Sequence, residues 1–128
     1  MEKSNVVIDS SILIALYNSD DTQHTNALSV FERLPNHLVI LHPYVVQEVS
    51  TVLTYRAGLP RAQEFLSDIP NSENTFMPAV DVRSDIEYFK KLNKKISFTD
   101  SALIRLAKEL GAELVTFDKQ MMSLSRQT

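Results

Sequence analysis

Val6-Val7-Ile8-Asp9-Ser10-Ser11 is the stretch on which the reading of this chain turns. Three β-branched apolar residues in succession show no polar alternation, the pattern of a short strand covered on both faces. The run stops at an acid followed by two hydroxyl residues. Ile12, Leu13, Ala15 and Leu16 then take up helical spacing. A buried strand that feeds straight into a helix is how an α/β fold begins.

Working outward, the alternation recurs. Asn18-Ser19-Asp20-Asp21 breaks the first helix, and Ala27, Leu28, Phe31 and Leu34 are spaced to share one face of a second, ended by Pro35-Asn36. Leu38-Val39-Ile40-Leu41 predicts the next strand. Pro43 opens the helix after it, where its missing N–H costs nothing; that helix carries Val45, Val46, Val49, Val52 and Leu53 and stops around Gly58-Leu59-Pro60. A short helix from about Arg61 to Ile69, closed by Pro70-Asn71-Ser72, precedes a weaker strand at Thr75-Phe76-Met77. Val82 to Leu92 predicts a helix with Ile86, Phe89 and Leu92 inside, and residues 93–98 read as a loop. Ser97 or Thr99 then caps an amphipathic helix from about Asp100 to Leu110, with Gly111 at its C′ position. Glu113 to Phe117 is the last strand, followed by Asp118. Strands alternating with helices imply a mainly parallel sheet covered on both faces, so the fold class is α/β. No repeat, low-complexity tract or linker divides the chain, and residues 1–128 read as one domain.

Composition narrows the function. The 128 residues are 44% hydrophobic and 23% charged, ordinary for a globular protein, and there is no cysteine. That excludes disulfides, thiolate nucleophiles and cysteine zinc sites, and it fits a cytoplasmic setting. No apolar stretch approaches the roughly 20 residues a membrane span needs, and the first residues show no secretory pattern. The formal net charge is −3 and the pI about 5.5. A simple nucleic-acid-binding module would show a basic excess. An enzyme that gathers acids around a divalent metal would look acidic, because the counted charges omit the cation.

The acids fall where that chemistry needs them. Open α/β sheets bind ligands beyond the carboxyl ends of their strands, and Asp9 and Asp118 follow the first and last strands directly. Asp100 starts the helix that feeds the last strand, and Glu48 lies in the opening turns of the helix after the second. Clustered carboxylates repel, and a hard divalent cation offsets that repulsion. Asp9, Glu48, Asp100 and Asp118 are therefore the candidate metal-binding and catalytic residues.

Taken in order, Val7-Ile8-Asp9-Ser10-Ser11, Gln47-Glu48-Val49, Ser97-Phe98-Thr99-Asp100-Ser101-Ala102 and Val115-Thr116-Phe117-Asp118-Lys119 resemble the successive motifs of PIN domains, the PilT N-terminus ribonucleases. The short single-domain form is similar to VapC-type toxins, and Asp20-Asp21 with His24 and Ala27 resembles a weaker family signature. The resemblance covers essentially the whole chain. It implies a three-layer α/β/α fold, an endoribonuclease, and one or two Mg2+ or Mn2+ ions held by the four acids, with Ser11 and Thr116 as polar supports. It also implies an RNA substrate, a small antitoxin partner that offers a basic side chain to the acids, and a homodimer. Ser101 departs from the pattern, since many members carry a small apolar residue after the third acid.

Lys94, Lys95, Arg105 and Lys119 lie near the expected rim and are candidate RNA-phosphate contacts. Glu64, Asp68, Asp81, Asp85 and Glu87 read as solvated surface charges. His24, His37 and His42 have no ligand spacing, and His24 reads as a packing or hydrogen-bonding residue. Three competing functions are weaker. A receiver-type phosphoacceptor wants an acidic pair at the first strand's end, and Asp9 is followed by Ser10-Ser11. A dehalogenase-type phosphatase needs an Asp at the position of Ser11. A catalytically silent PIN-like binding module would not need all four acids.

Overall fold

The computed structural model describes residues 4–127. Four parallel strands form one sheet in the order β3-β2-β1-β4: β1 is Ser4–Ile8, β2 His37–Ile40, β3 Thr75–Phe76 and β4 Glu113–Val115. β1 is central, with Val7 beside Ile40 on one side and Leu114 on the other. From β1 the chain builds outward to β2 and β3, then returns to add β4 on the opposite flank. The strand order thus reverses between β1 and β4, and such a switch point opens a crevice at the carboxyl ends of the strands. This order also differs from the 2-1-3-4-5 arrangement of receiver domains.

Among the described residues seven α-helices flank the sheet as an α/β/α sandwich. These are α1 (Ser10–Tyr17), α2 (His24–Arg33), α3 (Pro43–Arg56), α4 (Leu59–Asp68), α5 (Val82–Leu92), α6 (Phe98–Leu110) and α7 (Lys119–Arg126). α1 packs on α2 and α3, and α3 on α4; α6 packs on α5 and α7. Val6, Val7 and Ile8 are all buried, which is why this strand reads as an unbroken apolar run. The core around them includes Ile12, Leu13, Val45, Val49, Leu53, Phe65, Leu103, Ile104 and Met121.

Local chemistry sets the helix ends. His42 caps α3, its Nδ1 accepting from the Tyr44 N–H at 2.9 Å. Ser97 caps α6, its Oγ accepting from the Asp100 N–H at 3.0 Å, so this helix begins two residues before its expected start. Gly111 ends it with φ of 60°, a left-handed turn that glycine adopts without strain.

Several expectations are corrected. The last strand ends at Val115 instead of Phe117. α7 was not anticipated at all. Leu28 and Ile86 were expected inside, yet they are 45% and 44% exposed. Asp85 was expected on the surface and is 1% exposed; it takes the inward position that Ile86 was assigned. Leu13 is core. Among the described residues no helix is long and apolar enough to cross a membrane.

Candidate active site

β1 delivers Asp9 to the switch point. The Asp9 N–H donates to the Val115 carbonyl at 3.0 Å, continuing the β1–β4 ladder by one bond, so the residue's backbone is held by the sheet itself. Asp9 is 3% exposed. Its Oδ2 accepts hydrogen bonds from Ser11 Oγ at 2.7 Å and from Thr116 Oγ1 at 2.8 Å. The two hydroxyls also serve the chain that follows β4: Ser11 Oγ accepts from the Phe117 N–H at 3.3 Å, and Thr116 Oγ1 from the Asp118 N–H at 3.0 Å. Ser11 and Thr116 therefore tie Asp9 to the turn that carries Asp118.

The other acids arrive on helices. Glu48 lies in the second turn of α3 and accepts from the Ser10 hydroxyl, so α1 and α3 are linked at the site. Asp100 lies in the first turn of α6, beside free helical N–H groups. Its carboxyl is pushed up to about 6, chiefly by burial and then by the charge of Asp9. A hydrogen bond with Ser97 opposes the shift, while Glu48 and Asp118 add to it. Asp118 is exposed and caps α7, its Oδ1 accepting from the N–H groups of Gln120 and Met121 at 2.9 and 3.2 Å.

Asp9, Glu48, Asp100 and Asp118 all line one cleft of about 350 Å³, with Ser10, Ser11 and Asp21 beside them. Ile14, Phe117 and Met121 supply apolar wall, and Arg56 at the end of α3 is the one cation lining it among the described residues. A profile of the PIN domain matches residues 6–126, which takes in the buried end of β1, all four acids and α7.

The chain belongs to the PIN domain family.

The PIN domain is 28% identical over 115 residues to Ribonuclease VapC6 of Methanocaldococcus jannaschii, an alignment covering 87% of this chain and 72% of that protein. Its fold superposes on the crystal structure of Mycobacterium tuberculosis VapC20, a sarcin-ricin loop cleaving toxin, with a TM-score of 0.81 at 22% identity, over 92% of this chain and 93% of that one.

As a cation site, the acids of this cleft offer hard oxygen donors, the chemistry that Mg2+ and Mn2+ take. Among the described residues no group of three or more His, Asp or Glu side chains lies close enough together to hold an ion by itself. The set suits a small cation that keeps several of its waters.

The predicted basic contacts fare differently. Lys94, Lys95, Arg105 and Lys119 are absent from the cleft wall among the described residues. Lys94 and Lys95 are exposed before α6, and Lys119 is exposed beside Asp118. Arg105 is taken up internally, donating from Nε to Asp85 at 2.9 Å and from Nη1 to Glu109 at 2.8 Å. Arg56 and Asp21 were not singled out as site residues. Arg56 follows Glu48 by eight residues, about two helical turns, and that spacing is the signal that could have found it. His24 behaves as read, with Nδ1 hydrogen-bonded to the Ala15 carbonyl at 2.7 Å.

A smaller, more apolar hollow of about 180 Å³ lies elsewhere, bounded by Leu13, Tyr17, Phe31, Leu41 and Phe65. It holds none of the four acids and no part of the chemistry above.

Proposed function

We propose that this PIN domain is a divalent-metal-dependent endoribonuclease that hydrolyses RNA phosphodiester bonds, acting as the toxin of a toxin–antitoxin pair. The observation that carries the proposal is the convergence of Asp9, Glu48, Asp100 and Asp118 on one cleft at the switch point of the sheet. The ribonuclease and toxin likenesses of the two relatives support it.

Asp9, Glu48 and Asp100 would hold the cation, with Asp118 contributing from the rim. When bound, Mg2+ or Mn2+ supplies Lewis acidity for hydrolysis of the phosphodiester. The chain's own work is positional. Ser11 and Thr116 hold Oδ2 of Asp9, and Ser10 orients Glu48. Arg56 binds a phosphate beside the one cleaved, offsetting the repulsion between an anionic strand and an acidic cleft. Phe117, Ile14 and Met121 limit water on one wall. Lys94, Lys95 and Lys119 remain proposed contacts for phosphates beyond the cleft.

The same reading includes a small antitoxin that sets a basic side chain against these acids, a homodimer and a cytoplasmic location. Phe76, Met77, Val80, Val82 and Ile86 are exposed on β3, the segment after it and α5, and offer apolar surface for self-association; sedimentation of the purified chain tests that. The test of activity is cleavage of a labelled structured RNA pool with Mg2+, Mn2+ or EDTA, beside an Asp9→Asn/Asp100→Asn variant. Metal-dependent cutting that disappears in the variant is expected. Folded, partner-free protein that cuts under no metal would leave a protein-binding module instead.

A further inference from the structure

Asp85 is a carboxylate at 1% exposure with no place in the cleft. It sits in the first turn of α5 and accepts two hydrogen bonds from two other helices. Arg105 Nε of α6 donates to Oδ1 at 2.9 Å, and Tyr44 Oη of α3 donates to Oδ2 at 2.9 Å. Aromatic rings enclose the junction: Tyr44 packs on His42 at 4.2 Å and on Phe98 at 5.8 Å between centroids, and Phe98 packs on Phe89 at 5.7 Å. Burial and the bond to Asp85 push the Tyr44 phenol up to about 12, so it stays a donor.

α3 and α6 are also the helices that present Glu48 and Asp100. Tyr44 and Glu48 are four residues apart and stack on one side of α3. Arg105 follows Asp100 by five residues on α6. A buried ion pair is a poor way to gain stability, since apolar side chains of equal volume often serve as well. What it supplies is direction: two carboxylate oxygens in one plane, each aimed at a donor from a different helix, set the rotation of α3 against α6.

We propose that Asp85 is a positioning residue for the metal site, clamping α3 to α6 through Tyr44 and Arg105 so that Glu48 and Asp100 face the same cation. The inference rests on the metal-nuclease reading above.

The test is Mn2+ affinity, measured by electron paramagnetic resonance on folded protein. The variants are Asp85→Asn, Tyr44→Phe and the double variant. Asp85→Asn should weaken Mn2+ binding by about tenfold, in the range of residues that orient metal ligands. Tyr44→Phe should cause a smaller loss, and adding it to Asp85→Asn should change nothing more, because both act through one clamp. Phe65→Leu, a core change in α4 that also lowers Tm, should leave Mn2+ affinity unchanged, which separates positioning from general destabilisation. In RNA cleavage kcat should fall while KM holds. Wild-type binding that Asp100→Asn abolishes but Asp85→Asn and Tyr44→Phe leave intact would overturn the clamp and spare the nuclease. Wild-type protein that binds no Mn2+ would remove both. If Asp85→Asn does not fold, Tyr44→Phe decides.

Discussion

At the scale of single residues, two side chains make opposed predictions. The Ser101 hydroxyl is fully buried beside Asp100 and has no hydrogen-bond partner among the described residues. A buried polar group left unpaired costs about 1–3 kcal/mol, and alanine is the better helix former. Ser101→Ala is therefore expected to raise stability by about 1 kcal/mol, read from urea unfolding at fixed pH, while leaving RNA cleavage intact. Arg56 is the converse case, an exposed residue in the last turn of α3 with no side-chain hydrogen bond or ion pair among the described residues, at the edge of an acidic cleft. Arg56→Gln should raise KM for RNA several-fold with kcat nearly unchanged. It should also lower the slope of log affinity against log salt by about 0.7, the value for one phosphate contact on a single strand. An unaltered salt slope would remove Arg56 from the substrate path.

Elements show where one residue has two duties. Asp118 caps α7 and also faces the cleft, so its substitutions separate the roles. Asparagine caps as well as aspartate, whereas alanine costs about 1 kcal/mol. Asp118→Asn should thus keep its melting temperature and lose Mn2+ affinity, and Asp118→Ala should lose both. Equal stability in the two variants would mean that the cap contributes nothing. The strands and the acids that follow them were legible in the sequence because each acid closes an apolar run at the ligand edge of a parallel sheet. α7 was not, since Met121 and Leu124 are its only buried residues and lie among Gln and Ser, too few to mark a period. In α5 the inward row is Asp85, Tyr88, Phe89 and Leu92. A polar residue in that row hides the phase, and hydrophobicity alone assigns Ile86 to it. Nothing local to Asp85 announces its burial, because its partners lie 41 and 20 residues away in sequence. The four acids were readable as a set; the absence of Lys94, Lys95 and Lys119 from the cleft depends on the relative placement of helices, which no motif encodes.

For the molecule as a whole, the acidic cleft links pH to two quantities with opposite signs. Asp100 ordinarily titrates near 3.8 and is held at about 6 in the fold. Between those values the folded protein holds more protons than the unfolded one, so this group's contribution to stability falls as pH rises from about 4 through 6 and is level above. A cation needs the carboxylate ionised, so Mn2+ affinity should climb over the same window. Thermal unfolding in EDTA and Mn2+ titration, both at pH 4.5 to 7.5, check the pair of trends; slopes of the same sign would contradict the site. The bond from Thr116 to Asp9 has a further meaning, since it joins positions 107 residues apart. A ribosome adding about 5–20 residues per second reaches Thr116 roughly 5–20 s after Asp9. Through that interval β1 lacks its β4 neighbour, Asp9 lacks the Thr116 hydroxyl, and Asp118 has not yet been made. On the proposed nuclease reading, a growing chain of this design has no assembled cleft with which to cut RNA until β4 and the turn after it are in place.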